Sequence, residues 1–324
     1  MKPWLLALLA CPECAGELAA RADQTEAGEI ETGLLRCACG AEFPVRGGIP
    51  RFARGPARPE ARSTVERFGY QWRAFRDRLP GYREAFLDWM SPLGEADLRG
   101  GVVLDAGCGG GRFTDVAASL GARMVVGADL SESVEAAREL VRHRANAGIV
   151  QADLLRLPFR QPFDLVFTIG VLHHLPDGEE GFTALVRHLR PGGRVHVWVY
   201  GREGNEWLLR FVDPVRKRLT SRLPPAVLRV AALALAAPLH LALRVLYRRR
   251  SGARLPYGAY LSWLARFPFP HTQQVVFDHL SAPIAHYYPR DEFRGWFEKA
   301  RLEDIVVSAR NANSWRGTAR VPGG

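Results

Sequence analysis

Three acids stand in turn at the ends of three apolar runs, beside a turn made largely of glycine. Val102-Val-Leu-Asp105 leads into Ala106-Gly107-Cys108-Gly109-Gly110-Gly111, and Met124 to Asp129 and Ile149 to Asp153 follow. Glycine lets backbone approach a ligand with no Cβ in the way, and a helix starting just after offers unpaired N–H groups. A carboxylate at Asp129, 18 residues past Gly111, suits a pair of ribose hydroxyls. Singly, each acid reads about as well as a helix cap. Together they describe a site for a nucleotide-like cofactor, which nicotinamide dinucleotides would also satisfy.

Four of the five cysteines form a second constellation, Cys11-Pro-Glu-Cys14 and Cys37-Ala-Cys39. Two close pairs read as a four-thiolate zinc site rather than as disulfides. The single residue between Cys37 and Cys39 is a less common spacing. Four thiolates leave zinc no open position, so a structural or docking role is expected, in a reducing, cytoplasmic setting. Lys2, the apolar run from Trp4 to Ala10 and Cys11 also suggest an acylated signal, but seven apolar residues are few and three cysteines would go unexplained.

The order Asp-x-Gly-x-Gly-x-Gly at 105–111 resembles motif I of the class I S-adenosylmethionine (SAM)-dependent methyltransferases. That resemblance implies that Asp105 orients the methionine end of SAM, Asp129 the ribose and Asp153 the adenine amino group. Gly107, Gly109, Gly111, Leu130, Leu154 and Gly170 complete the expected cofactor-binding set. Phe163 to Pro176, with His173 and His174, resembles small-molecule methyltransferases of the ubiquinone and menaquinone type. Residues 1–54 resemble the zinc ribbons that activate tRNA and other methyltransferases.

These residues need a scaffold. The fold class expected is α/β, a Rossmann-like seven-stranded sheet with helices on both faces, preceded by a small zinc ribbon and carrying a helical insertion. Strands are expected near 102–105, 124–129, 149–152, 164–169 and 194–200, and helices near 111–120, 132–146 and 179–189. Segments 303–309 and 314–321 supply the last two strands, and the family pattern makes the final one antiparallel. The chain divides into a ribbon (1–54), a linker with aromatic lid helices (55–99), the SAM-binding core (100–203), a helical insertion (204–280) and a closing helix with two strands (281–324). A lid over SAM and simple packing on the fold both fit the aromatic stretch Val65 to Met90.

The net charge is +10, yet 214–277 holds eleven basic residues and no acid, so the remainder sums to −1. The partner question belongs to that segment. Pro225 to Tyr247 is apolar nearly all round, and Pro238 is expected to break it, which argues against an uninterrupted membrane span. Three readings stay open: a helical cap over the site, an interfacial pair on anionic lipid, and, last, a nucleic-acid surface.

Methyl transfer to a hydroxyl or acidic carbon requires removal of a proton. His173 or His174, undecided between them, are the candidate bases, although such histidines often serve only packing. A second candidate cluster is His286-Tyr287-Tyr288, for which a surface turn capped by Asp291 is an equal reading. The expectation is a cytoplasmic SAM-dependent enzyme, peripheral to the inner membrane face if the lipid reading holds, acting by O- or C-methylation on a small or lipid-like acceptor. An rRNA or tRNA methyltransferase and a non-catalytic module with a structural SAM site are the alternatives. No Asn/Asp-Pro-Pro-Tyr word follows the fourth strand, which argues against methylation of base amines.

Overall fold

A computed structural model describes residues 1–53, 59–75, 81–160 and 163–323. Parts of the linker and lid segment expected at 55–99, namely 55–58 and 76–80, lie outside these residues.

The run Val102–Ala106 (β5) is buried at all five positions, as a strand covered on both faces must be. Its side chains alternate between two cores. Val102 and Leu104 point to one hydrophobic cluster, and Val103 points to the other. The same burial governs Met124–Asp129 (β6), Ala147–Gln151 (β7) and Phe163–Ile169 (β8). With Leu189–Tyr200 (β9), Glu303–Arg310 (β10) and Ser314–Arg320 (β11), they form one sheet in the order β10-β11-β9-β8-β5-β6-β7. Strand β11 runs antiparallel to both neighbours, and the five strands from β9 to β7 are parallel. The chain winds away from β5 in both directions, so a crevice opens where the carboxyl ends of β5 and β8 lie side by side. The α/β fold class expected from sequence is the one observed.

Three elements depart from expectation. The helix begun near 132 spans only Ser133–Val141. Beyond it, Lys2 donates to the carbonyls of Arg144 and Ala147 and the Trp4 indole to that of Ala145. Strand β9 begins at Leu189, because the chain through Pro191-Gly192-Gly193 enters the sheet with a register shift against β8. Pro238 does not break its helix. Pro225–Ala242 continues through it and on to Tyr247. Pro238 and Ala234, whose carbonyl it leaves unpaired, both face outward, where solvent can satisfy the lost bond.

At the amino end, Leu18–Glu26 (β1), Glu29–Cys37 (β2), Glu42–Arg46 (β3) and Ile49–Pro50 (β4) form an antiparallel meander. So small a unit has little core of its own. It shares a cluster with the large sheet, through Leu5, Leu9, Phe43 and Phe52. Phe52 N donates to Gln151 O at 2.8 Å and Ala10 N to Pro158 O at 2.8 Å, which fixes it against the β7 edge.

The insertion packs helix Pro225–Ala242 on helix Phe269–Ser281, with Leu228, Ala232 and Phe277 buried between them. The second of these helices, with Gly258–Leu264, covers the carboxyl ends of β8 and β9.

Candidate functional site

Backbone shape comes first. Gly107, Gly109 and Gly111 adopt φ of +81°, +51° and +78°, a region that side chains resist. A Cβ on Gly107 would meet Val171 at 2.4 Å, and one on Gly111 would meet the Ala137 Cα at 2.9 Å. The turn is pinned to β6, since Gly107 N and Cys108 N both donate to Ala128 O, at 2.7 and 3.0 Å.

Asp105 and Asp129 lie at strand ends, as expected, Asp153 falls two residues past the end of β7, and each has a different local task. Asp129 accepts from Gly109 N at 2.9 Å through one oxygen. Through the other it accepts from Ser131 N at 2.8 Å and Ser131 Oγ at 2.7 Å. It thereby couples the glycine turn to the next strand. Asp105 is buried beneath the turn and accepts from Thr114 Oγ1 at 2.7 Å. Burial pushes its carboxyl up to about 7. Asp153 accepts from Leu155 N at 3.0 Å and so does cap a short turn, Leu154–Arg156. Leu130 is half-buried, Leu154 is buried, and Gly170 follows β8 at φ +80° against the Trp198 ring. The glycine cradle and the carboxylate at the end of β6 fit SAM, and they are the groups that would hold it.

Helix Pro59–Ala74 lies across this cradle. The Trp72 indole packs on Gly109, where a Cβ would meet its Nε1 at 2.5 Å. Arg112 sits between rings, its guanidinium carbon 4.3 Å from the Trp72 centroid and 4.8 Å from that of Tyr82.

Beyond the cradle is a cavity of about 160 Å³. Its floor is Ile169, Gly170, Trp198 and Tyr200, and its roof comes from the insertion, through Tyr260, Trp263, His271, Asp278 and His279. Phe68, Gln71 and Arg112 close the donor side. Asp105, Asp129 and Asp153 do not border it.

The structure separates the paired histidines. His173 is fully buried outside the cavity, stacked 3.9 Å from the Tyr200 ring, with both ring nitrogens unpartnered. Burial, with His174 nearby, holds it well below the ordinary histidine value. His174 borders the cavity, and its Nδ1 lies 2.6 Å from Ile284 O. That bond assigns the proton to Nδ1 and leaves Nε2 as a lone pair. Burial lowers its pKa as well, so the ring is neutral at neutral pH. In the second cluster only Tyr287 borders the cavity. Tyr288 is buried against Trp296, His286 is exposed, and the next helix starts after Pro289 with no side-chain cap, Asp291 lying in its first turn.

Two groups in the wall were not anticipated. Asp278 accepts from Tyr200 OH at 3.0 Å and from Gln71 Nε2 at 3.4 Å. Arg310 is buried between Trp89 and Trp263, at 4.6 and 4.5 Å, and its Nε donates to Asp88 at 2.7 Å. A sequence signal for Asp278 existed, because it is the residue that ends the acid-free run 214–277.

The four cysteine sulfurs all lie within 4.8 Å of one another. Cys11 and Cys39 are 3.8 Å apart, and Cys14 and Cys37 3.4 Å. Zn–S bonds of ~2.3 Å in a tetrahedron give sulfur–sulfur edges of about 3.8 Å, so the cluster fits one zinc ion.

Residues 104–197 match a family described as "Methyltransferase domain". The chain is 33% identical over 123 residues to the ubiquinone biosynthesis O-methyltransferase of Pseudomonas putida, a match over 36% of this chain and 52% of that protein. The corresponding protein of Pseudomonas fluorescens is 31% identical over 122 residues, with 36% and 51% covered. The chain thus spans about half the length of these curated relatives. Among solved structures, human N-acetylserotonin methyltransferase with SAM overlays at a TM-score of 0.46 and 14% identity, covering 82% of this chain and 60% of that one. Magnesium protoporphyrin IX methyltransferase from Synechocystis overlays at 0.45 and 15%, covering 78% and 93%.

Proposed function

We propose that the chain, whose residues 104–197 match a methyltransferase domain, uses SAM to methylate a hydroxyl on a small aromatic acceptor held in the capped cavity. The observation that carries this is the junction itself. Gly170 and Arg112 border the cavity while the glycine cradle lies just behind Trp72, so a donor in the cradle and an acceptor under the cap would meet at the ends of β5 and β8. A dry cavity of about 150 Å³ is enough for benzene, so the space here suits one substituted ring between Trp198, Trp263 and Tyr260. The relatives named for ubiquinone biosynthesis O-methylation point to the same acceptor class.

When bound, SAM supplies an electrophilic methyl on a sulfonium. The chain's residues do the rest. His174 Nε2 takes the acceptor's proton, and the bond from its Nδ1–H to Ile284 O holds the ring in the right tautomer. Asp278 fixes the Tyr200 hydroxyl in the wall, where the pair orients the acceptor. The cap and helix Pro59–Ala74 exclude water, the helix serving as a lid that moves to admit SAM. Cys11, Cys14, Cys37 and Cys39 hold a structural zinc that stabilises the β7 edge, and a cytoplasmic location keeps those thiols reduced.

Labelled SAM offered with separate quinol or phenol, polar-metabolite, lipid and RNA fractions tests the reading. Label is expected in the phenolic fraction, and label in RNA alone would overturn it. Metal analysis of freshly purified protein should give one zinc per chain.

A further inference from the structure

The helix Pro225–Tyr247 turns one side inward along its whole length, where Leu228, Ala232, Ala236 and Leu243 are completely buried. Its outer side is also apolar, apart from Arg229 and Arg244. Val230 and Leu241 are 67% and 66% exposed, and Val227, Leu235, Val245 and Leu246 about half. Exposed apolar strips of this extent mark contact surfaces.

Charge brackets the strip. Exposed Arg218 and Arg222 precede it, while Arg216, which is buried, and Lys217 pair with Asp213. At its far end is a pocket of about 450 Å³ lined by Arg244, Arg248, Arg249 and Arg266, with Tyr247 and Ser262. The Ser262 hydroxyl is buried there and has no partner. The segment 214–277 contains no acid, and among the described residues none of these four arginines pairs with a carboxylate.

We propose that this face docks the protein on an anionic lipid surface, with the arginine pocket taking lipid phosphates and the apolar strip entering the acyl boundary. Four guanidinium groups and a free hydroxyl are donors without an acceptor, which is what a phosphate supplies. A nucleic acid would use the arginines but leave the strip in water. A spanning arrangement would strip Leu228 to Leu243 from the cap they pack on, so the helix lies along the surface. The proposal does not rest on methyl transfer, because binding alone reads it out.

The test is flotation of the full chain with vesicles of phosphatidylglycerol mixed into phosphatidylcholine, and of phosphatidylcholine alone, at low and high salt. Binding is expected only to the anionic vesicles, with loss at high salt. Arg248→Glu with Arg249→Glu should weaken it by more than the roughly fivefold per arginine that removing a charge near such a surface gives. Val230→Ser with Leu241→Ser, at positions too exposed to disturb folding, should weaken it about tenfold. No flotation at low salt, equal flotation with neutral vesicles, or wild-type binding by the serine pair would each overturn the proposal. So would stabilisation by inorganic phosphate, or capture of an RNA oligomer, without vesicle binding.

Discussion

The donor cradle and the acceptor cavity share the carboxyl end of one sheet, yet they are built by different means. The cradle is local. Its turn, its anchoring carbonyl at Ala128 and its carboxylate at Asp129 lie within 107–131, and most of its bonds involve backbone. The cavity is assembled from afar. Tyr200 meets Asp278 across 78 residues, and Arg310 meets Asp88 across 222. A cradle made of backbone accepts one cofactor, whereas a roof of side chains on an inserted segment can change its acceptor without disturbing the donor. Variants on the two sides should therefore separate donor affinity from turnover.

Asp129→Ala is the strongest probe. It releases Gly109 N and Ser131 and would leave ribose hydroxyls unpaired. Each unsatisfied group costs about 1–3 kcal/mol, so calorimetry should show SAM affinity falling several hundred-fold. An unchanged Kd would mean that the carboxylate serves only the turn. On the other side, His174→Gln should leave SAM affinity within about twofold while lowering kcat about 100-fold, the usual contribution of a positioned base. Because burial lowers the His174 pKa, the acid limb of the wild-type kcat profile should lie below the ordinary histidine value. A Kd for SAM that rises as kcat falls would erase the distinction between the two sides.

The same difference explains what could be read in the sequence. Runs such as 102–106, buried on both faces, and a turn of obligatory glycines leave local marks, so the sheet and the cradle were legible. Helix length was not, because the end of Ser133–Val141 and the carbonyls beyond it involve Lys2 and Trp4, more than a hundred residues away. Pro238 misled because its effect depends on which side of the helix meets solvent. Nor can adjacent residues reveal which of His173 and His174 faces a cavity whose roof arrives at Tyr260 to His279. Asp278 stood out only as the acid ending a long acid-free run, and its bond to Tyr200 exists only in three dimensions.

Asp105 gives a pH-dependent test of the donor side. Its folded value of about 7 lies above the 3.8 of an unperturbed carboxyl. The folded protein therefore retains a proton that the unfolded chain gives up, and stability without SAM should fall as pH rises from about 4 to 7. SAM is cationic and would favour the ionised form. Its affinity should rise about tenfold between roughly pH 6 and 8, and Asp105→Asn should flatten both profiles.

The smallest effect expected is on the acceptor side, at Trp263, whose ring stacks on the Arg310 guanidinium and lines the cavity roof. Trp263→Leu removes one of two aromatic faces around that cation, and a cation–π contact contributes about 0.5–1 kcal/mol at exposed sites and more when desolvated. Asp88 and Trp89 still hold Arg310, so the fold should persist. Acceptor KM should rise about fivefold, with kcat and SAM affinity nearly unchanged. That pattern would place Trp263 in acceptor binding. A kcat loss with constant KM would instead mean that the stacked pair aligns the acceptor for reaction, which would give the inserted roof a part in the chemistry as well as in the choice of substrate.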